Sequence, residues 1–272
     1  MCDKAKLYVY AENEKYHSDA QALAKRLQIE CISDMSQTGC QTDGETASQT
    51  DSKTDSKTAI QDLILLWGKE GLSLKCGKLS MRGDFTTMIP RVREGKWQHE
   101  MLVKASKLKN AQGKLTAIDA TAGMGEDALL LAAAGYHVTM YEYDPIIAAL
   151  LKDALRRAKK VPQLSEIVDR MQLVEDDSIT AMSRMDETVD LIYLDPMFPA
   201  RQKSALIKKK FQLLQKIESP CMDEKELLEA AVKVRPKRIV VKRPAKGPYI
   251  AGKKPDFSFQ GKAIRYDCFS FA

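Results

Sequence analysis

The chain has 272 residues, of which 44% are hydrophobic and 29% are charged, a composition that is typical of a globular protein and excludes a fibrous or low-complexity chain. No uncharged apolar stretch approaches the ~18 residues that a membrane-spanning helix needs, and the N-terminus lacks the apolar core of a signal peptide, so we expect a cytoplasmic protein with no membrane partner. The net charge of +6 is small, but the cations cluster in a few segments, which indicates either a polyanionic partner or solvated helix faces.

The cysteine and histidine residues show no pattern of metal ligands. The six cysteines and three histidines are scattered along the chain, without a CxxC pair or a nearby histidine cluster. Metal sites need such clustering, and a cytosolic chain seldom carries structural disulfides. The sequence therefore predicts free thiols and no metal.

Residues 1–90 are predicted to form a small N-terminal α/β domain. The segment 4–32 has the pattern of a strand, a helix and a second strand, and residues 62–77 have that of two strands around a glycine-containing turn. Between them, residues 36–58 contain no large apolar side chain. Such a segment cannot bury enough surface to offset the entropy that ordering would cost, so we predict a disordered or mobile insert.

Residues 91–272 are predicted to form a larger domain in which strands and helices alternate. The predicted strands are 114–119, 137–144, 171–177, 189–195 and 237–243. The predicted helices include 97–109, 126–136 and 145–160. This alternation implies right-handed crossovers and a Rossmann-like, doubly wound, mostly parallel sheet. The tail, 256–271, is predicted to be a closing β-hairpin.

The loop after the first strand of the larger domain, DATAGMGEDA, has the features of a cofactor-binding turn. Ligands of doubly wound sheets bind at the carboxyl ends of the strands, and Gly123 and Gly125 allow a tight turn and the close approach of a ligand. These glycines match the dinucleotide pattern G-x-G-x-x-G/A. However, Asp119 ends the strand and Glu126 and Asp127 begin the helix. Three carboxylates repel a pyrophosphate but favour the ammonium and sulfonium groups of S-adenosylmethionine (SAM), which is therefore the preferred cofactor. A dinucleotide, or simple complementation of the helix dipole, is the alternative.

Two further strand ends carry carboxylates that suit the rest of this cofactor. Glu142 ends the second strand about 20 residues after the glycines, where it can accept hydrogen bonds from both ribose hydroxyls. The third strand ends in acidic residues followed by Ser178, and carboxylates there can accept the adenine amino group. The alternative is that Asp177 or Ser178 caps the following helix, and either residue could serve both purposes.

The fourth strand ends in the sequence LDPMFP, beside the predicted methyl donor. The exocyclic amine of a nucleobase is a poor nucleophile, because its lone pair is delocalised into the ring. The Asp195 carboxylate and a backbone carbonyl fixed by Pro196 can accept its N–H bonds and direct the lone pair at the methyl group. Phe198 offers an aromatic face on which the base can stack. A simple Asp-Pro turn is the alternative.

This motif resembles the [ND]-P-P-[YF] signature of amino-group methyltransferases, with Met197 in place of the second proline. A longer likeness, over most of residues 82–243, includes DATAGMGEDALLLAAAGYHVTMYEYD, LDPMFPARQKSALIKK and RIVVKRP. These segments look like the bacterial guanine-N2 methyltransferases that modify a guanosine near the 3′ end of 16S ribosomal RNA. The resemblance implies a class I SAM-dependent fold, with S-adenosylhomocysteine (SAH) as product and with 16S RNA or the assembled small subunit as partner.

The resemblance also implies a set of cofactor contacts. By motif position, the residues that contact SAM are Glu126, Asp127, Glu142, Tyr143, Asp177, Ser178 and Asp195.

Cations that could hold RNA phosphates near the site precede the methyltransferase strands or follow LDPMFP. They are Arg91, Arg93, Lys96, Arg201, Lys203, Lys208 and Lys209.

Rival functions remain open at this point. Adenine N6 or a protein glutamine would need similar amine chemistry, and a nicotinamide-dependent oxidoreductase would use the glycine loop differently. An RNA-binding module without catalysis is the rival that is not an enzyme. The sequence does not indicate an oligomeric state.

Overall fold

The computed structural model describes residues 6–35, 38, 62–109, 113–196 and 224–271. The predicted insert at 36–58, except Thr38, lies outside these residues. So do Phe198 and the predicted RNA-binding residues Arg201, Lys203, Lys208 and Lys209. The described residues fall into two compact units, the first ending at Gly83 and the second beginning at Asp84.

The first unit is a small α/β sheet, as the alternation of its sequence predicts. It consists of strand β1 (Leu7–Ala11), helix α1 (His17–Leu27) and strands β2 (Glu30–Ile32), β3 (Leu63–Gly68), β4 (Gly71–Cys76) and β5 (Leu79–Met81). The strand order is β2-β1-β3-β4-β5. The predicted turn joins β3 to β4 as an antiparallel pair. Strand β5, which has three residues, is too short to be predicted from its sequence.

The second unit contains a seven-stranded sheet in the described part of the chain. Its strands are β6 (Thr116–Asp119), β7 (His137–Tyr141), β8 (Met171–Val174), β9 (Leu191–Leu194), β10 (Arg238–Pro244), β11 (Phe257–Gln260) and β12 (Ile264–Ser270). The order is β11-β12-β10-β9-β6-β7-β8. Strands β6 to β10 are parallel, and β11 and β12 form the predicted antiparallel hairpin at one edge. The doubly wound prediction is confirmed.

Helices cover both faces of this sheet. They are α2 (Ile89–Val92), α3 (Met101–Ser106), α4 (Glu126–Ala133), α5 (Pro145–Ala158), α6 (Pro162–Val168), α7 (Ser178–Ser183) and α8 (Glu224–Lys233). Alternate side chains of each buried strand point to opposite faces. Tyr193 therefore packs with Leu129 and Leu151 of α4 and α5, whereas Ile192 packs with Leu227 of α8.

The predicted helix at 97–109 is wrong in its extent. The chain forms a 3-10 turn at Trp97–His99, and α3 begins only at Met101. Glu100 separates them, because its backbone is extended (φ −64°, ψ 134°) and its carboxylate is held by the Arg91 guanidinium. The helix ends at Ser106, whose hydroxyl donates to the Leu102 carbonyl. The carbonyl of Ser106 accepts a hydrogen bond from a tyrosine hydroxyl outside the helix.

Two further observations concern the cysteines and the length of the helices. Cys31, Cys76 and Cys268 are thiols rather than disulfides. Within the described ranges, no helix is long and apolar enough to cross a membrane.

Candidate active site

The candidate site lies where the strand order of the second sheet reverses. The chain enters this sheet at β6, which has β7 on one side and β9 on the other. The loops that follow β6 and β9 therefore meet at the carboxyl edge, which is where doubly wound sheets bind ligands. The Thr121 hydroxyl ties the two loops together, because it accepts a hydrogen bond from the Asp195 backbone N–H at 2.7 Å.

Asp119 is the buried end of β6, with 1% of its surface exposed. Its Oδ1 accepts a hydrogen bond from the Thr121 backbone N–H at 3.1 Å. Burial raises the pKa of Asp119 to about 8, although this backbone hydrogen bond opposes the shift. The carboxyl group thus fixes the start of the glycine loop and lies close enough to Asp127 and Asp195 for their charges to raise its pKa further.

The glycine loop requires both of its glycines. Gly123 has φ +52° and Gly125 has φ +75°, and both lie in the left-handed region that favours glycine. Gly125 caps α4, and a Cβ placed there would lie 2.8 Å from Leu151 Cδ1 and 3.1 Å from Phe85 Cζ. A side chain at Gly125 would therefore force Leu151, Phe85 or the loop itself to shift.

Glu142, predicted to bind ribose, follows β7 and holds two neighbouring segments together. Its Oε2 accepts the Gly123 N–H at 2.9 Å, and its Oε1 accepts the Asp144 N–H at 2.9 Å. Burial raises the pKa of Glu142 to about 7, against the effect of these backbone hydrogen bonds. Since each carboxylate oxygen can accept more than one hydrogen bond, the ribose contact remains compatible with this geometry.

The other predicted cofactor residues lie at the same edge. Tyr143, next in the chain, has 47% of its surface exposed. Asp177 caps α7 through a 2.8 Å hydrogen bond from the Thr180 N–H, and Ser178 is buried as the first residue of that helix. The capping alternative thus holds for Asp177. Glu126 is the exposed first residue of α4.

A lysine that the sequence pattern does not identify as a site residue pairs with both Asp195 and Asp127. The Lys242 ammonium, on β10, lies 2.7 Å from Asp127 Oδ2 and 2.9 Å from Asp195 Oδ2. The Tyr193 hydroxyl also donates to Asp127 Oδ2, at 2.6 Å. Pro196 follows, and is buried.

Strand register is the signal that could have identified Lys242. The parallel pairing of β10 with β9 matches Val241 to Leu194, so the next position in each strand brings Lys242 beside Asp195. Residues beside each other in parallel strands point to the same face. The RIVVKRP segment resembles the methyltransferase family, but its lysine cannot be assigned to the site without this register.

Of the predicted RNA-binding residues, the structure describes three, all exposed. Arg91 forms two hydrogen bonds to Glu100, at 2.9 and 2.7 Å. These hydrogen bonds, and the charge of Glu100, raise the pKa of Arg91 above its ordinary value. Arg93 and Lys96 follow in the same exposed segment, and can face a phosphate with less competition from the protein.

The donor set at this edge fits SAM better than a pyrophosphate. Asp119, Asp127, Glu142 and Asp195 are carboxyl groups, with Lys242 as the ammonium that pairs with two of them. An excess of carboxyl groups stabilises cationic ligand groups and repels phosphates. No group of three or more potential metal ligands occurs among the described residues.

Comparisons with known proteins point to one class. The family described as "Putative SAM-dependent methyltransferase" matches residues 50–271. A protein of Hahella chejuensis named ribosomal RNA small subunit methyltransferase J is 42% identical over 66% of this chain and 67% of its own. A protein of the same name from Marinobacter nauticus is 40% identical over 76% of this chain and 77% of its own. A crystal structure described as a SAM-dependent methyltransferase from Neisseria gonorrhoeae has a TM-score of 0.69 and 26% identity, covering 97% of this chain and 95% of its own. These matches give no support to the dinucleotide alternative.

Proposed function

Since this chain belongs to the family of SAM-dependent methyltransferases, we propose that it methylates the exocyclic N2 amine of a guanosine in 16S ribosomal RNA of the small subunit. The relatives named ribosomal RNA small subunit methyltransferase J support the RNA class of the substrate. The choice of guanine N2 rests on the resemblance of the LDPMFP, glycine-loop and RIVVKRP segments. SAH is the expected product, and no metal is needed for this chemistry.

The observation that carries the proposal is the position of Asp195. The carboxylate lies at the carboxyl end of β9, tied to the glycine loop through Thr121, and about a third of its side chain is exposed (35%). A carboxylate that is fixed by the protein and still reachable from solvent can accept an N–H bond from a substrate amine. The buried Pro196 restrains the backbone that follows it.

The chain's own residues supply binding, orientation and proton transfer. When bound, SAM supplies an electrophilic methyl group whose bond to sulfur breaks with its electron pair left on sulfur. Asp195 accepts the amine N–H, so that the nitrogen lone pair points toward the methyl carbon. As the N–C bond forms, the nitrogen must lose one proton, which Asp195 can take and pass to water.

The cofactor contacts are proposed from the same geometry. Glu142 accepts from the ribose hydroxyls, and Asp177, Ser178 and Tyr143 surround the adenine. Glu126 and Asp127 provide the negative field for the cationic end, whose charge in turn favours the ionised form of Asp119. Gly123 and Gly125 have no side chains, so the cofactor can approach the backbone of the loop closely. Phe198 is proposed to stack on the target base.

The RNA partner is proposed to bind through cations near the site. Arg91, Arg93 and Lys96, together with Arg201, Lys203, Lys208 and Lys209, would contact phosphates and position the RNA without reading its sequence. Because the proposed substrate is ribosomal, we propose that the reaction takes place in the cytoplasm.

Methyl transfer from labelled SAM tests the function. Purified protein would be incubated with tritium-labelled SAM and either free 16S RNA or small subunits from cells that lack this protein. Label should enter the RNA of at least one substrate, and a thermal shift should appear with SAM and SAH but not with NAD. Label in protein alone, or a shift with NAD alone, would contradict the proposal.

A further inference from the structure

Lys242 occupies a central place among the strand ends of the candidate site. It is the β10 residue beside Asp195 in the parallel register, and it pairs with Tyr266 of β12 on its other side. Asp127 reaches it from α4, which covers the same face of the sheet. The ammonium thus joins three secondary-structure elements at the carboxyl edge.

The two oxygens of the Asp195 carboxylate have different surroundings. Oδ2 accepts the Lys242 ammonium at 2.9 Å, whereas Oδ1 does not take part in this ion pair. The side chain is 35% exposed, so a substrate amine can reach it. The same ammonium lies 2.7 Å from Asp127, which also accepts the Tyr193 hydroxyl. Lys242 is therefore held by a second carboxylate as well as by Asp195, which restricts its movement.

We propose that Lys242 is a positioning residue for methyl transfer, which binds one oxygen of Asp195 so that the other oxygen faces the substrate amine. This role rests on the proposed function, because it concerns the carboxylate that accepts the amine. Lys242 does not touch the reacting atoms; it acts through Asp195 alone. A carboxylate fixed by one ion pair in advance loses less entropy when the amine arrives.

The ion pair also controls the charge of Asp195. Burial raises the pKa of Asp195, Lys242 lowers it, and Asp127 raises it. Burial lowers the pKa of Lys242, but attraction to Asp127 and Asp195 outweighs burial and leaves it above its ordinary value. Without the ammonium, two neighbouring carboxylates would face each other, and Asp195 would hold its proton to higher pH.

Other charged or titratable groups surround this pair, and their side chains are the same in every variant at position 242. They are Asp119 on β6, Tyr193 on β9, Arg243 on β10, Tyr266 on β12 and Arg91 on α2. Lys242 also lowers the pKa of Asp119 and Tyr266, so the titration of Asp195 itself must accompany the pH profile of activity.

The test compares Lys242→Met with Lys242→Arg, and uses Lys237→Met as the matched control. Lys237 stands just before β10 and pairs with Asp190 at 2.7 Å, so its substitution removes a Lys–Asp ion pair at the opposite edge of the sheet.

Single-turnover methylation would be measured from pH 5 to 9. Ionised Asp195 is required, so activity falls as pH drops through its pKa. In Lys242→Met the acidic limb should move up by about one to three pH units, because removing an opposite charge at this distance raises a carboxyl pKa by that amount. Lys242→Arg and Lys237→Met should keep the wild-type limb.

A second readout does not depend on activity. In protein labelled with ¹³C at the aspartate carboxyl carbons, the Asp195 signal is the one missing from Asp195→Asn. That signal should titrate at higher pH in Lys242→Met than in the wild type. Should Lys242→Met fail to fold, Lys242→Gln replaces it, since glutamine keeps a hydrogen-bond donor but not the charge.

The outcomes separate this proposal from the proposed function. Parallel pH profiles for wild type and Lys242→Met, with the same Asp195 titration, would overturn the role of Lys242. An upward shift of both in Lys242→Met, absent from Lys242→Arg, supports it. If the wild type transfers no methyl group to RNA, the proposed function fails, while the carboxyl titration still decides whether Lys242 controls Asp195.

Discussion

At the scale of single residues, the site depends on carboxylates whose oxygens already have partners. One oxygen of Asp195 accepts a hydrogen bond from Lys242, and both oxygens of Glu142 accept hydrogen bonds from backbone N–H groups. Such hydrogen bonds fix the side chains before any ligand binds, which reduces the entropy cost of binding. Each substitution at these residues therefore needs a control that separates weaker ligand binding from damage to the local structure.

Asp195→Asn should lower the methyl-transfer rate by about 100-fold or more, as expected when a transition-state acceptor is removed. The amide keeps the shape of the side chain and leaves the backbone hydrogen bond to Thr121 in place. Lys242 loses one ion pair but keeps the one with Asp127, so the melting temperature should change little, and some weakening of SAH binding is allowed. Single-turnover kinetics provide the measurement, and a rate within about threefold of wild type would contradict the role given to Asp195.

Glu142→Ala should weaken SAH binding by roughly 1–3 kcal/mol, because ribose hydroxyls lose their acceptor. It also removes the hydrogen bond from Gly123, so stability must be measured beside affinity. Asp144→Ala is the matched control, since Asp144 caps α5 through the N–H groups of Ile146 and Ile147. That variant should lose stability but keep its affinity by calorimetry. An unchanged dissociation constant in Glu142→Ala would exclude the ribose contact.

At the scale of elements, the parallel order of β6 to β9 determines which loops meet. Asp119 ends a strand and Glu142, Asp177 and Asp195 each come after one, so the alternation of strands and helices is enough to bring them to one edge. The Lys242 ion pairs were not predictable in this way. They join positions 115 and 47 residues apart in sequence, and depend on strand register and on which helix covers the face. The break at Glu100 was missed for a related reason, since a tertiary interaction with Arg91 overrides the local helical pattern.

The two glycines of the cofactor loop give a prediction at this scale. Gly125→Ala should destabilise the protein more than Gly123→Ala, although both have positive φ. The left-handed backbone costs about 1–2 kcal/mol in each variant. A Cβ at Gly125 also meets Leu151 at 2.8 Å, whereas one at Gly123 has nothing within 4 Å. Such overpacking adds ~1–3 kcal/mol.

Urea unfolding of the two glycine variants would measure this difference. Equal free energies of unfolding would show that α4 can shift without cost, and that the loop is less tightly packed against α5 than the short Cβ distance indicates. SAH affinity, measured alongside, reports whether the distorted loop still accepts the cofactor.

At the scale of the whole molecule, the net charge of +6 conceals a separation of charge within the second unit. The strand ends that form the site are acidic, while the exposed segment with Arg93 and Lys96 is basic. A cationic cofactor and a polyanionic RNA therefore have separate places to bind. Because phosphate binding releases counterions, the RNA part should depend on salt and the cofactor part much less.

Replacing Arg93 and Lys96 together by alanine should weaken RNA binding while SAH affinity stays the same. The slope of log affinity against log salt should fall by ~0.7 for each phosphate of a single-stranded RNA that the variant no longer neutralises. Lys159 and Lys160, replaced together, are the control, because they lie at the end of α5 that points away from the carboxyl edge. An identical slope in wild type and the Arg93/Lys96 variant would exclude this segment from the RNA path.

Methylation of guanine N2 in 16S RNA is tested by identifying the modified nucleoside. Small subunits or 16S RNA would be treated with SAM that carries a deuterated methyl group, then digested to nucleosides and analysed by mass spectrometry against standards. Labelled N2-methylguanosine is expected with wild-type protein, and at least about 100-fold less with Asp195→Asn. Label in N6-methyladenosine, or in protein glutamine with none in guanosine, would contradict it.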